Sequence, residues 1–196
     1  MNNSSTYIRL ILAVLHLVLG VLVLSGLIAK AYSLLIVFFG VIYIIRNKNE
    51  NNEAIHWSAY LVGAEVLFRM VGGKIFYELP KYPIFVFLFT GLIVEKRQHH
   101  ISLSYLIYIL LLLIGIAFVN IPFDESIRKA IAFNLSGPIL LGVSAIYFYR
   151  RPLALSTFMD MLFYMLLPII SLLTLLYFRT PSVSEIAFGG GASFAA

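Results

Sequence analysis

The sequence predicts an all-α fold: a polytopic transmembrane helix bundle of about seven spans, each needing about 20 apolar residues. Three observations carry that expectation. Hydrophobic residues make up 61% of the 196 and charged residues 12%, against about 25% charged in a soluble domain. Mean hydropathy is +0.97. The apolar runs are continuous, whereas the strands of a membrane barrel must alternate. A surface so poor in charge points to lipid as the solvent.

Polar interruptions divide the chain in order. Met1 to Arg9 is polar, and an apolar run follows from Leu10 to Ile45. That run is too long for one span, so a tight hairpin is expected at Lys30 and its small neighbours Ser25, Gly26, Ala29 and Ala31. It lacks the short apolar core and cleavage site of a signal peptide, and is read as a retained first span. Arg46 to Glu53 is a polar loop. Ala54 to Val71 reads as a helix that carries Glu65 and Arg69 and ends at Gly72-Gly73.

A second polar patch, Lys74 to Lys81, leads into a short apolar run, Pro83 to Val94, and Glu95 to His100 is a loop. Ile101 to Val119 is a clean span. Asn120 to Lys129 is a polar turn, broken by Pro122. Ala130 to Tyr149 spans again, with Gly137-Pro138 as an expected kink, and Arg150-Arg151-Pro152 closes it. The last span runs from about Ser156 to Phe178, with a bend expected at Pro168, and ends at Arg179-Thr180-Pro181. Residues 1–181 therefore form the bundle. Residues 182–196, rich in small side chains around Gly189-Gly190-Gly191, are expected to be an extracytoplasmic segment of a truncated chain.

Loop cations set orientation. With the N-terminus cytoplasmic, the inner loops hold Arg9, Arg46, Lys48, Lys96, Arg97, Arg150 and Arg151. The outer ones hold Lys30, Lys74, Lys81, Arg128, Lys129 and Arg179. Seven against six favours the N-terminus inside. The doublets Lys96-Arg97, Arg128-Lys129 and Arg150-Arg151 are expected to meet anionic membrane lipid and fix topology.

Several functions are excluded. Cysteine is absent, so there is no disulfide framework, thiolate metal site or cysteine nucleophile. No soluble scaffold carries spaced cations, which argues against nucleic acid as a partner. His99 and His100 are adjacent and point to different sides, giving poor metal geometry. His56 lies beside Trp57 at an interface. His16 lies inside the first apolar run, where a neutral imidazole bonded across helices is expected. No metal and no cofactor are predicted. The three glycines near the end lack the spacing of a nucleotide-binding loop.

Glu65 and Arg69 are the most informative residues. Four apart on a helix, they share one face and can pair; either charge alone at mid-membrane would cost about 2.5–3.5 kcal/mol. A structural clamp explains them without any function; alternatively, Arg69 holds an anionic substrate and Glu65 orients its fork. Lys74 and Lys81 flank aromatics at the same membrane interface, where anchoring and contact with a lipid-linked phosphate both fit. Asp160, near the start of the last span, is a lone carboxylate that snorkels or contacts a proton or sugar. Arg179 reads as an anchor at the far end.

The run Ala59-Tyr60-Leu61-Val62-Gly63-Ala64-Glu65-Val66-Leu67-Phe68-Arg69-Met70, with Ile75-Phe76-Tyr77-Glu78 and Lys81-Tyr82, resembles bacterial O-antigen ligase-like and polymerase-like membrane proteins. The likeness is to their N-terminal half, in a Bacteroidetes-type branch. Ala187 to Gly191 resembles the start of an extracytoplasmic loop in that family. The resemblance implies a larger membrane glycosyltransferase-like fold in the bacterial inner membrane. Its chemistry passes a glycan from undecaprenyl diphosphate to a lipid or glycan acceptor on the outer side, with no nucleotide sugar or obligatory metal. The departing diphosphate needs cations, and the acceptor hydroxyl needs a base. The resemblance places those groups beyond residue 196, so no catalytic residue carries over and this chain alone is expected to be inactive. Arg69, Lys74 and Lys81 are the expected contacts for the lipid diphosphate. Two other classes stay open: a transporter or flippase for a lipid-linked or anionic substrate, and a non-catalytic membrane subunit.

Overall fold

The computed structural model describes residues 3–71, 81–96, 102–116, 118 and 127–179. Among them are seven helices and no strand: α1 (Asn3–Leu22), α2 (Gly26–Arg46), α3 (Glu53–Met70), α4 (Lys81–Val94), α5 (Leu103–Ile116), α6 (Ile127–Phe148) and α7 (Leu155–Phe178). By length and composition, α2 and α7 could each cross a membrane. The apolar stretches Thr6–Leu22, Lys81–Val94, Leu103–Gly115 and Leu135–Phe148 are shorter. The helix α3 is more polar, as Glu53, His56, Glu65 and Arg69 require.

Local chemistry sets the helix ends. Ser25, Asn52 and Ser102 sit just before α2, α3 and α5, and their carbonyls accept the first helical N–H bonds from Ala29, Ile55 and Tyr105. These are favoured N-cap residue types. The end of α2 is a Schellman turn: the Asn49 amide reaches the Ile44 carbonyl and the Lys48 amide the Ile45 carbonyl, at 3.2 Å each. That motif needs a left-handed residue one past the cap, normally glycine. Here it is Lys48, with φ 52°.

Three boundaries differ from expectation. The α1–α2 break falls at residues 23–25, so Lys30 lies inside α2 rather than in the turn. The apolar residues around Lys30 continue the helical pattern, and the serine-glycine pair at 25 and 26 supplies the cap instead. Arg9 belongs to α1, not to a loop. The helix α6 already begins at Ile127, so Arg128 and Lys129 sit in its first turn and not in the preceding connection. Both α6 and α7 continue through their prolines, Pro138 and Pro168. The predicted loops around Lys74, Arg97 to His100 and 182–196 lie outside the described residues.

The chain divides into two compact units. Unit 1 takes α1, α2 up to Phe39, α3 from Ala59, and α7 from Ser156. Its core gathers Val23, Ala29, Leu67, Val71 and Leu175, with Leu19, Tyr32, Met70 and Leu172 packed against them. Unit 2 takes residues 40–58 and α4 to α6. There α6 packs against both α4 and α5, and Trp57 meets Tyr43 and Phe87 edge-on. The outer face of α5 leaves Leu106, Ile107, Leu110, Leu111 and Ile114 exposed.

Small residues let the helices of unit 1 approach closely, as in membrane-embedded pairs. A β-carbon at Gly20 would fall 2.5 Å from the Ser171 carbonyl oxygen, and one at Gly63 would overlap the Met165 carbonyl. Because these neighbours are backbone, α7 itself would have to shift. Gly115 has open space around it. Gly63→Ala is therefore expected to destabilise by about 1–3 kcal/mol. Gly115→Ala should be neutral or gain up to about 1 kcal/mol. Thermal unfolding in detergent, followed by helical circular dichroism, checks the contrast, and equal melting of the two variants would contradict the packing described.

Candidate functional site

One end of unit 2 holds a buried polar cluster drawn from three chain segments: the α2–α3 loop, the end of α4 and the end of α6. Arg151 and Glu95 form its centre. Their side chains are only 3% and 10% exposed, so both charges depend on each other for solvation. The guanidinium grips the carboxylate with both terminal nitrogens, Nη2 to Oε2 at 2.6 Å and Nη1 to Oε1 at 3.3 Å. Nη1 also donates to Asn52 Oδ1 at 2.9 Å, and Nε to the Tyr147 carbonyl at 3.1 Å. The guanidinium carbon lies 3.9 Å from the centroid of the Tyr147 ring, within cation–π range.

Asn49 completes the network. Its Nδ2 donates to Glu95 Oε2 at 3.0 Å and to the Tyr147 hydroxyl at 2.8 Å, and its Oδ1 accepts from the Ala54 amide at 2.9 Å. That last bond serves an amide in the first turn of α3, which has no helical partner. Asn49 and Asn52 adopt left-handed conformations, with φ 54° and 59°, which asparagine tolerates better than most residues. Glu53, also buried, accepts from the backbone amide and Nδ2 of Asn51, and its charge faces the positive end of α3. Gly91 lets α4 come close enough: a β-carbon there would sit 3.0 Å from Asn49 Nδ2 and 3.1 Å from the Tyr147 ring.

Unit 1 carries a second polar seam. Arg9 on α1 pairs with Asp160 on α7 at 2.5 Å and lies 5.2 Å from the Phe163 ring centroid. Two turns further along α1, His16 Nδ1 donates to the Leu12 carbonyl at 2.7 Å, because a carbonyl can only accept. In the neutral ring Nε2 is then an acceptor, and it receives the Tyr60 hydroxyl at 2.8 Å. The Tyr60 hydroxyl is also bonded to that of Tyr32. Ser171 Oγ donates to the His16 carbonyl at 2.7 Å, tying α7 to the same level.

The sequence-derived site residues are only partly gathered. Glu65 and Arg69 form the expected ion pair one helical turn apart, each about one-third exposed. Lys81 opens α4, and its Nζ donates to Ser136 Oγ at 3.2 Å. Arg69 belongs to unit 1 and Lys81 to unit 2; Lys74 lies outside the described residues. Asp160 is not the lone carboxylate expected, since Arg9 holds it. Arg179 is exposed just past α7. The expected cross-helix bond of His16 is present, to Tyr60. Among the described residues, no group of three or more histidines, cysteines or acids is placed to hold a metal ion.

Sequence reasoning missed the Arg151 cluster. The doublet Arg150-Arg151 read as two lipid-facing charges, but the chain turns at a left-handed Arg150, φ 52°. That turn leaves Arg150 exposed and carries Arg151 back over Tyr147. The signal available was the asparagine-rich stretch Asn47 to Asn52, which offers several amides and left-handed positions in one loop. Comparison with protein-family models, curated proteins and solved structures finds no match for this chain.

Removing one member of a buried ion pair strands the other, at a cost of about 3–5 kcal/mol. Arg151→Met and Glu95→Gln are each expected to destabilise by that order. The double variant should recover part of the loss, because neither charge is then left alone. Melting of the four proteins in detergent forms a double-mutant cycle; additive losses would contradict a direct pair.

Proposed function

We propose that this chain is a multi-pass protein of the bacterial inner membrane, crossing seven times from a cytoplasmic N-terminus. In that reading it is part of a glycan ligase or polymerase, which transfers an undecaprenyl-diphosphate-linked glycan to a lipid or glycan acceptor on the outer side. The observation that carries the membrane location is the exposure of the two helices long and apolar enough to span, α2 and α7. Only 28% and 22% of the most apolar stretches of α2 and α7 are buried. A core helix of a soluble protein would be mostly covered. Large apolar side chains also line the exposed faces of α1 and α5, among them Leu10, Val14, Leu17, Leu110 and Ile114. Lipid solvates such faces without penalty, whereas water does not.

The glycan-transfer reading rests on the family resemblance around residues 59–82 and on the Arg69 fork. Glu65, one turn earlier, holds the Arg69 guanidinium at the last turn of α3. With the N-terminus inside, that turn lies toward the outer face, where a lipid diphosphate is exposed. A planar guanidinium oriented by a carboxylate suits bidentate binding of phosphate oxygens. Unbroken helices through Pro138 and Pro168 support this reading over transport, which commonly uses interrupted helices at the substrate site.

The absence of cysteine makes the topology directly testable. A single Glu50→Cys substitution is expected to react with a membrane-impermeant maleimide only from the cytoplasmic side, and labelling from outside would contradict the orientation. The site is tested by Arg69→Ala in the intact protein. Loss of a charge-assisted bond of about 1.5–3 kcal/mol corresponds to a roughly 10- to 100-fold drop in glycan transfer. Unchanged surface glycan at normal expression would reject Arg69 as a substrate contact.

A further inference from the structure

The buried cluster of unit 2 also arranges the charges around it. The contacts of Asn49, Glu95 and Arg151 bring three chain segments together, and each segment carries exposed cations within a few residues of those contacts. Arg46 and Lys48 precede Asn49, Lys96 follows Glu95, and Arg150 precedes Arg151; all four are exposed. The acids nearby are used internally: Glu95 by Arg151 and Asn49, and Glu53 by Asn51. In the same described segments Glu50 is the exposed carboxylate, so four cations face outward against one acid.

Backbone conformation adds a second, independent observation. Lys48 and Arg150 occupy left-handed positions, with φ 52° each. Glycine is the residue that such positions favour, at Lys48 by the Schellman geometry in particular. Cations stand where the fold alone would be served better by glycine. Tyrosines flank them: Tyr149 lies beneath Arg150, with its ring centroid 5.4 Å from the guanidinium carbon, and meets Tyr105 edge-on. Tyr43, one turn before the end of α2, is 52% exposed. Tyrosine next to cations is the pattern of a bilayer's headgroup level.

We propose that Arg46, Lys48, Lys96 and Arg150 form a docking face for the headgroups of anionic phospholipids, framed by the Arg151–Glu95 cluster. This rests on the membrane location proposed above. Phosphodiester oxygens supply acceptors for charge-assisted bonds, and an anionic leaflet supplies the matching field. The buried pair supplies the geometry: it holds the three segments together while adding no net charge of its own.

The test titrates the full chain, purified in neutral detergent, with phosphatidylglycerol and separately with phosphatidylcholine, and counts bound lipid by native mass spectrometry. Wild type is expected to retain phosphatidylglycerol preferentially. The variant K48G/R150G should bind it about 25-fold more weakly, at roughly fivefold per cation, with phosphatidylcholine binding unchanged. Its melting temperature should not fall, because glycine suits both backbone positions. R46Q/K96Q should weaken phosphatidylglycerol binding in the same direction without touching those turns. Phosphatidylglycerol binding that survives both substitutions, or phosphatidylcholine binding that falls in parallel, overturns the proposal. So does complete displacement of the lipid by millimolar inorganic phosphate, which would mark a free-anion site instead. A chain that stays dispersed without detergent contradicts the membrane location itself; one that needs detergent yet shows no lipid preference contradicts the docking face alone.

Discussion

Arg151 and Glu95 are shielded from solvent almost completely, and an ionised group in that position has no water to stabilise it. Its charge must be met by fixed protein groups, or the fold is lost at that point. The requirement propagates outward. A guanidinium satisfied by Glu95, Asn52 and the Tyr147 carbonyl fixes where α4 ends, how the α2–α3 loop turns, and which way the chain leaves α6. Asn49 then has one geometry that serves Glu95, Tyr147 and the first turn of α3 together. A buried pair of this kind adds little stability relative to a well-packed apolar substitute. What it provides is a single arrangement of three segments, since any other leaves a charge stranded.

Unit 1 has ion pairs of a different kind, about one-third exposed. Arg9 with Asp160 ties α1 to α7, and Glu65 with Arg69 stays within α3. Between them the His16, Tyr60 and Tyr32 bonds join α1, α3 and α2. His16 and Tyr60 are buried, so their bond has little competing water and fixes a helix rotation that van der Waals contact alone leaves loose. Gly20 and Gly63 then let α7 approach α1 and α3 at backbone distance. Polar bonds set the rotation and small residues set the spacing.

Hydropathy made the helices legible, because a continuous apolar run has few other ways to satisfy its backbone. The Glu65–Arg69 pair was legible for a local reason: a spacing of four on a helix specifies one face. Long-range partners were not. Nothing in the spacing of Arg9 and Asp160, 151 residues apart, marks them as neighbours, so Asp160 read as unpaired. Lys30 read as a turn because a cation interrupts an apolar run, yet the residues on both sides keep helical periodicity and the true break needed only Leu22 to Ser25. Arg151 was the largest misreading. Adjacent arginines look equivalent in a sequence, and only the left-handed turn at Arg150 separates an exposed charge from a buried one.

The account depends on acyl chains, and not water, covering the apolar faces of α1, α2, α5 and α7. The direct measurement is photolabelling of the chain in its native membrane with a carbene reagent dissolved in the acyl-chain phase, read residue by residue by mass spectrometry. Label is predicted on outward apolar positions such as Leu15, Phe38, Leu110 and Leu173, each at least half exposed, and not on the covered Leu67 and Phe87. Absence of label at those outward positions, with water-borne hydroxyl radicals modifying them instead, would contradict it.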